Sequence, residues 1–218
     1  MKTVIFDMDG LMIDSETKLF EILKRTLKKS GLTVDVEFYK QLLGVNENRG
    51  VYLLKEHYGK NFDARQVLND IHKEFDESIA YSGVPLKPGL LVLLSFLKAQ
   101  NILCAVATSS SRKRVEKILS CAKINHYFEA VICGDEVKTS KPAPDIFLKA
   151  LEKTKSDPRE ALVLEDSEAG IQAAFSAGIP VICIPDMKYP ASEFAAKTSA
   201  VLPSLSEVPA WIEKNRMR

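Results

Sequence analysis

The chain has 218 residues, of which 46% are apolar and 27% charged, and its formal net charge is +1. That length supports one sizeable core, or one core with a small insertion, and the composition is that of an ordinary globular chain rather than a disordered one. The near-neutral balance gives no electrostatic reason to expect nucleic acid or a membrane surface as partner. No apolar run approaches membrane-spanning length, and only one Lys and a brief apolar run precede Asp7, so neither a membrane segment nor a signal peptide is expected. The four cysteines (Cys104, Cys121, Cys133, Cys183) form no C-x-x-C pair and read as free thiols in a reducing compartment. A cytoplasmic protein is expected, as a monomer or weak dimer acting on a small molecule.

In chain order, Thr3-Val4-Ile5-Phe6 is a short buried strand that runs into Asp7-Met8-Asp9-Gly10 and then Asp14. Residues 16 to about 30 carry Leu19, Leu23 and Leu27 at helical spacing, with Ser15 as cap and Gly31 as stop. Helical patterns follow over Val36 to Leu43, Glu47 to Tyr58 and Ala64 to about Tyr81, with no strand between them. Gly83, Pro85, Pro88 and Gly89 then break the chain. From Leu90 helices and strands alternate. Strands are expected at 103–107, 130–133, 161–164 and 181–184. Helices are expected at 90–99, 112–121, 145–153 and 169–177, with short ones near 192–197 and 208–214.

Alternating strands and helices predict an α/β fold: a Rossmann-like parallel sheet of five strands, with helices on both faces. The first strand belongs to that sheet, so 1–14 and 85–218 form the core and 15–84 is a small α-helical domain inserted after strand one. In open parallel sheets the ligand crevice lies beyond the carboxyl ends of the strands. Asp7 follows strand one, Thr108 strand two and Glu165-Asp166 strand four, and Lys141 lies in the segment after strand three. The conspicuous polar residues therefore collect at one edge of one sheet.

That set suits phosphoryl transfer, for reasons of charge and donor type. Close carboxylates repel unless a cation or a reacting group lies between them. Asp7, Asp9 (through its backbone carbonyl), Glu165 and Asp166 make an all-oxygen donor set that suits Mg2+ rather than zinc. With that charge screened, Asp7 is placed to act as a carboxylate nucleophile and Asp9 as the acid and base. Thr108 and the Ser109 amide can donate to phosphoryl oxygens, and Lys141 adds positive charge. Thr108 also suits a helix N-cap, and Lys141 taken alone reads as a surface lysine.

The segments D-M-D-G-L-M-I-D, A-T-S-S-S, K-P-A-P-D-I-F and L-E-D-S-E-A-G-I resemble, in order and spacing, the four motifs of the haloacid dehalogenase superfamily. The resemblance covers essentially the whole chain. Its nearest subgroup is the β-phosphoglucomutase-like enzymes and sugar-phosphate phosphatases with a helical cap. It implies a Mg2+-dependent phosphotransfer enzyme acting on a small phosphorylated metabolite through an aspartyl-phosphate on Asp7. The inserted helices correspond to the cap, with hinges near Asp14-Ser15 and Ser82-Pro85. The cap loop Gly44-Val45-Asn46, with Arg49, corresponds to substrate-facing positions.

Departures from the pattern sharpen the expectation. Asp9 counts against dehalogenases, which lack that second aspartate, and against phosphonatases, which place a small residue there. Leu19 stands where β-phosphoglucomutase has a cap His, and Glu47 where it has a loop Arg. These differences favour hydrolysis over a phosphosugar mutase, the alternative. A phosphoacceptor signalling module would also combine Asp, Thr or Ser, Lys and Mg2+. Such modules are shorter, lack the helical insert and place the acceptor after the third strand.

Overall fold

The structure, a computed structural model, describes residues 1–43, 45 and 47–216. Gly44 and Asn46, two of the expected cap-loop residues, lie outside the described residues. The chain divides into two compact units, Met1–Asp14 with Val84–Arg218, and Ser15–Gly83.

The first unit begins with β1 (Thr3–Phe6), whose four residues are all buried. Its continuous apolar run reflects a parallel strand covered on both faces. In the second unit come α1 (Ser15–Lys29), α2 (Val36–Lys40), α3 (Glu47–Tyr58) and α4 (Ala64–Ser82). The i, i+4 leucines of α1 are buried, and α1 and α3 both pack on α4. The Asp35 carboxylate caps α2 by accepting from Phe38 N at 2.7 Å, and Asp63 caps α4 by accepting from Gln66 N at 3.2 Å. Ser15, expected as a cap, is instead the first residue of α1. Its buried hydroxyl has no hydrogen-bond partner among the described residues. The helix expected over 36–43 stops at Lys40, where Gln41 and Leu42 continue only as turns to Phe38 and Tyr39.

Back in the first unit, α5 (Leu90–Ala99) leads to β2 (Leu103–Ala107), α6 (Arg112–Cys121) and β3 (Phe128–Ile132). Next come α7 (Asp145–Thr154), β4 (Ala161–Glu165), α8 (Glu168–Ser176) and β5 (Val181–Cys183), then α9 (Ser192–Ala195), β6 (Ala200–Val201) and α10 (Val208–Arg216). Among the described residues the sheet has six parallel strands, in the order β3-β2-β1-β4-β5-β6. The expected count was five. The extra strand, β6, is two residues long, too short to show any periodicity, and is made by pairing with β5. Ile5, Ala105 and Val163 form one core cluster with Phe147 and Ala150 of α7 and Ile171 and Ala174 of α8. Cys104, Cys133 and Cys183 are buried free thiols, and burial pushes Cys104 and Cys183 up to about 12. Among the described residues no helix is long and apolar enough to cross a membrane.

The segments leaving and re-entering this unit are tied together. Ile13 and Leu86 form an antiparallel bridge. Asp14 N donates to Pro85 O at 2.7 Å, and Lys87 N donates to Met12 O at 2.9 Å. The Lys87 ammonium lies 2.5 Å from Asp186 and 3.4 Å from Asp14. Burial acts on Lys87 to lower its value, but the two carboxylates outweigh it and hold the ammonium above its ordinary range.

Candidate active site

The strand order reverses between β1 and β4, so the crevice of an open α/β sheet opens beyond the carboxyl ends of those two strands. Asp7 follows β1 there, and its amide donates to Leu164 O of β4 at 3.0 Å. In D-M-D-G-L-M-I-D, Met8, Leu11, Met12 and Ile13 are essentially fully buried, and Gly10 has φ +82°. The apolar residues anchor the turn in the core and leave the two aspartates at its rim. Gly10 is needed for a second reason: a Cβ there would fall against the Asp166 carboxylate. Asp7, Glu165 and Asp166 can place carboxylate oxygens within 4.8 Å of one another.

Lys141 is not a surface lysine. Its side chain is 6% exposed and donates to Asp7 Oδ1 at 2.6 Å, Glu165 Oε1 at 2.6 Å and Ala107 O at 3.1 Å. These three acceptors match the three protons of an ammonium. Burial opposes its charge, but Asp7 and then Glu165 more than compensate and raise it above the ordinary lysine value. Burial also pushes the Asp7 carboxyl up, to about 7. Lys141 pulls it the other way, and Glu165 adds to the rise.

Glu165 ends β4 with no exposed surface. Its Oε2 accepts from the amides of Asp166 and Ser167, each at 3.0 Å, and from the Ser167 hydroxyl at 2.9 Å. Ser167 Oγ in turn caps α8 by accepting from Gly170 N at 3.1 Å. Gly170 lies directly against this carboxylate, and a Cβ there would overlap Glu165 Oε1. One oxygen of Glu165 is thus fixed by the α8 cap and the other aims at Lys141.

Asp9 has different partners from Asp7. Its Oδ2 accepts from the Ser110 hydroxyl at 2.7 Å, and its Oδ1 accepts from Arg114 of α6 at 2.9 Å. Thr108, buried at the end of β2, accepts from Ser110 N at 3.2 Å through Oγ1, which leaves its own proton for donation. Thr108 is no helix cap, because α6 begins later with Ser111 as its N-cap residue. Ser109 is exposed. Gly134 passes so close to the Ser109 carbonyl that a Cβ there would collide with it.

The four segments singled out in the sequence thus meet at one edge. Three residues of this site had not been expected: Ser110, Arg114 and Gly170. Ser110 sits within the expected A-T-S-S-S run, whereas Arg114 reads in sequence as one more cation on a helix. Val45 and Arg49, expected at substrate-facing positions, belong to the other unit. Val45 is exposed and Arg49 lies 4.9 Å over the Tyr52 ring. Arg25 of α1, in that same unit, pairs with Glu74 of α4.

The family profile of haloacid dehalogenase-like hydrolases matches residues 4–184. The chain belongs to that family. A phosphorylated carbohydrates phosphatase from Thermotoga maritima is 32% identical over 179 residues, covering 82% of each chain. The crystal structure of CbbY from Rhodobacter sphaeroides in complex with phosphate aligns over 95% of this chain and 96% of its own, with a TM-score of 0.76 and 27% identity. A β-phosphoglucomutase from Clostridium difficile, 21% identical, shares the fold over the full length of both chains with a TM-score of 0.76. Within the family, the chain groups with phosphatases and β-phosphoglucomutase-like folds.

Proposed function

We propose that the chain is a Mg2+-dependent phosphatase that hydrolyses a small phosphomonoester, a sugar phosphate in the first instance. The observation that carries this reading is the division of partners between two aspartates two residues apart. Asp7 is buried against Lys141, while Asp9 is held separately by Ser110 and Arg114. Such a division suits two different jobs.

In the first step an Asp7 oxygen attacks phosphorus, the bond to the leaving oxygen breaks, and Asp9 gives that oxygen a proton. In the second step water attacks the aspartyl-phosphate, its proton goes to Asp9, and the acyl–phosphate bond breaks to release inorganic phosphate and restore the Asp7 carboxylate. Thr108 and the Ser109 amide hold phosphoryl oxygens, and Lys141 balances the negative charge gathered around Asp7. The oxygen-only set of Asp7 and Asp166, backed by Glu165 and the Asp9 carbonyl, fits Mg2+, and Gly10 keeps the approach to Asp166 open. Mg2+ held there supplies positive charge that lets Asp7 and a phosphoryl group approach each other.

The helical unit is proposed as the cap, with Gly44, Val45, Asn46 and Arg49 as the positions that select substrate. Leu19 is buried in α1 and offers no polar contact to a sugar, which favours hydrolysis over mutation of phosphosugars. The name of the Thermotoga maritima relative supports a phosphorylated carbohydrate as substrate.

The test is Mg2+-dependent phosphate release across a panel of small phosphomonoesters, with Asp7→Asn alongside. Release by the unvaried protein, abolished in a folded Asp7→Asn variant, is expected. No release from any ester, together with glucose 1-phosphate to 6-phosphate conversion primed by a bisphosphate, would replace the hydrolase by a mutase.

A further inference from the structure

Arg114 is set in an unfavourable place for a cation. It lies in the first turn of α6, together with Arg112 and Lys113, and that turn carries no acidic residue. Cations near a helix N-terminus oppose the helix dipole. Arg112 is compensated locally. It donates to Val131 O at 2.6 Å and to Glu136 at 2.7 Å, and its amide meets Asp135. Arg114 instead reaches Asp9, 105 positions away in sequence, with a side chain only 13% exposed. The pair joins the start of α6 to the turn after β1.

The two donors on Asp9 are not equivalent. A guanidinium only donates and keeps its protons at any working pH, whereas a serine hydroxyl can turn to donate or to accept. Oδ1 therefore always faces a donor, and any proton on the carboxyl belongs on Oδ2, where the Ser110 hydroxyl can rotate to accept it. We infer that Arg114 is a positioning residue that anchors Asp9 by Oδ1 and leaves Oδ2, with Ser110, as the oxygen that exchanges a proton with the leaving group and with water. This rests on the proposed acid–base role of Asp9. It adds that the role depends on a side chain brought to the turn after β1 by α6.

The test separates proton delivery from binding and folding. An alkyl phosphate such as glycerol 3-phosphate needs a proton on its leaving oxygen, whereas 4-nitrophenyl phosphate departs without one. Steady-state kinetics with Mg2+ would compare the unvaried enzyme with Arg114→Gln, Arg114→Lys, Ser110→Ala and Asp9→Asn on both substrates. Asp9→Asn sets the scale, since positioned general acids contribute about 10^2–10^4-fold. For Arg114→Gln the expected result is a fall in kcat of about 10–100-fold on the alkyl ester. The loss on the aryl ester should be several-fold smaller and KM nearly unchanged. Arg114→Lys, which keeps the charge but not the fixed planar donor, should recover only part of the loss. The double variant Asp9→Asn with Arg114→Gln should be no worse on the alkyl ester than Asp9→Asn alone.

Equal losses on both esters in Arg114→Gln, or an effect confined to KM, while Asp9→Asn keeps its bias, would overturn the inference alone. No bias in Asp9→Asn would overturn the acid role of Asp9 and the inference with it. Should Arg114→Gln fail to fold, as judged by thermal melting, the same ratio read on Arg114→Lys decides the matter.

Discussion

Gly170→Ala pits two physical effects of opposite sign against each other. Gly170 lies within α8, and on helix propensity alone alanine should stabilise by about 1 kcal/mol. Its Cβ, however, would overlap the Glu165 carboxylate, which is fully buried and held through both oxygens. If Glu165 stays and α8 shifts, overpacking costs about 1–3 kcal/mol. If the carboxylate swings away, Lys141 loses one of its two buried counter-charges, and breaking such a pair costs about 3–5 kcal/mol. After subtracting the propensity gain, the first route leaves a net loss of roughly 0–2 kcal/mol and the second roughly 2–4 kcal/mol. Lys141 already has three acceptors fixed around it and α8 is pinned by its Ser167 cap, so the larger figure is expected. Urea denaturation gives the stability change, and phosphate release on the same preparations gives the activity. Both should fall, activity the more steeply, because Asp7 and the displaced carboxylate share Lys141 as donor. A variant with an unchanged or higher urea midpoint and full activity would refute the reasoning, since Glu165 would then have room behind it.

Other expectations follow from the charges. Burial raises Asp7 to about 7, so between the ordinary carboxylate range and about 7 the folded chain holds a proton that the unfolded chain has released. Stability without divalent cation should therefore fall as pH rises through that window, by at most about 1.4 kcal/mol per pH unit, and Asp7→Asn should remove this component. Denaturation of both proteins in chelator across the window checks it; identical slopes would refute it. A cation at the same carboxylates competes with that proton, so the rise in melting temperature on adding Mg2+ should be larger at about pH 8 than at about pH 5. An equal rise at both would place the cation elsewhere. Lys87→Met should destabilise by about 1–3 kcal/mol, because it leaves the half-buried Asp186 without its cation beside Asp14. Adding Asp186→Asn should restore much of the loss, and urea midpoints of the single and double variants measure the coupling.

Much of the architecture is legible from local patterns. The alternation of apolar runs with helical periods marks the strands and helices, because a strand buried on both faces has to be apolar throughout and an amphipathic helix has to repeat its stripe. Asp7, Thr108 and Glu165 stand out as polar residues at the ends of such runs, which converge in a parallel sheet, and Lys141 follows in the segment after the third strand. Where patterns are short they carry no signal. The two-residue β6 exists only because β5 offers an unpaired edge, and α2 ends early because its last turn is capped by Gln41 rather than extended.

The partners of each group are a different matter. Which residues bring oxygen or charge to the crevice follows from residue type and strand polarity alone. The burial of Lys141 between Asp7 and Glu165, the reach of Arg114 to Asp9 and the room that Gly170 leaves for a carboxylate emerge only once the chain is folded. These are contacts between residues tens of positions or more apart along the chain, or, for Gly170, a matter of packing distance. Their geometry depends on how helices seat on the sheet, which no local periodicity encodes.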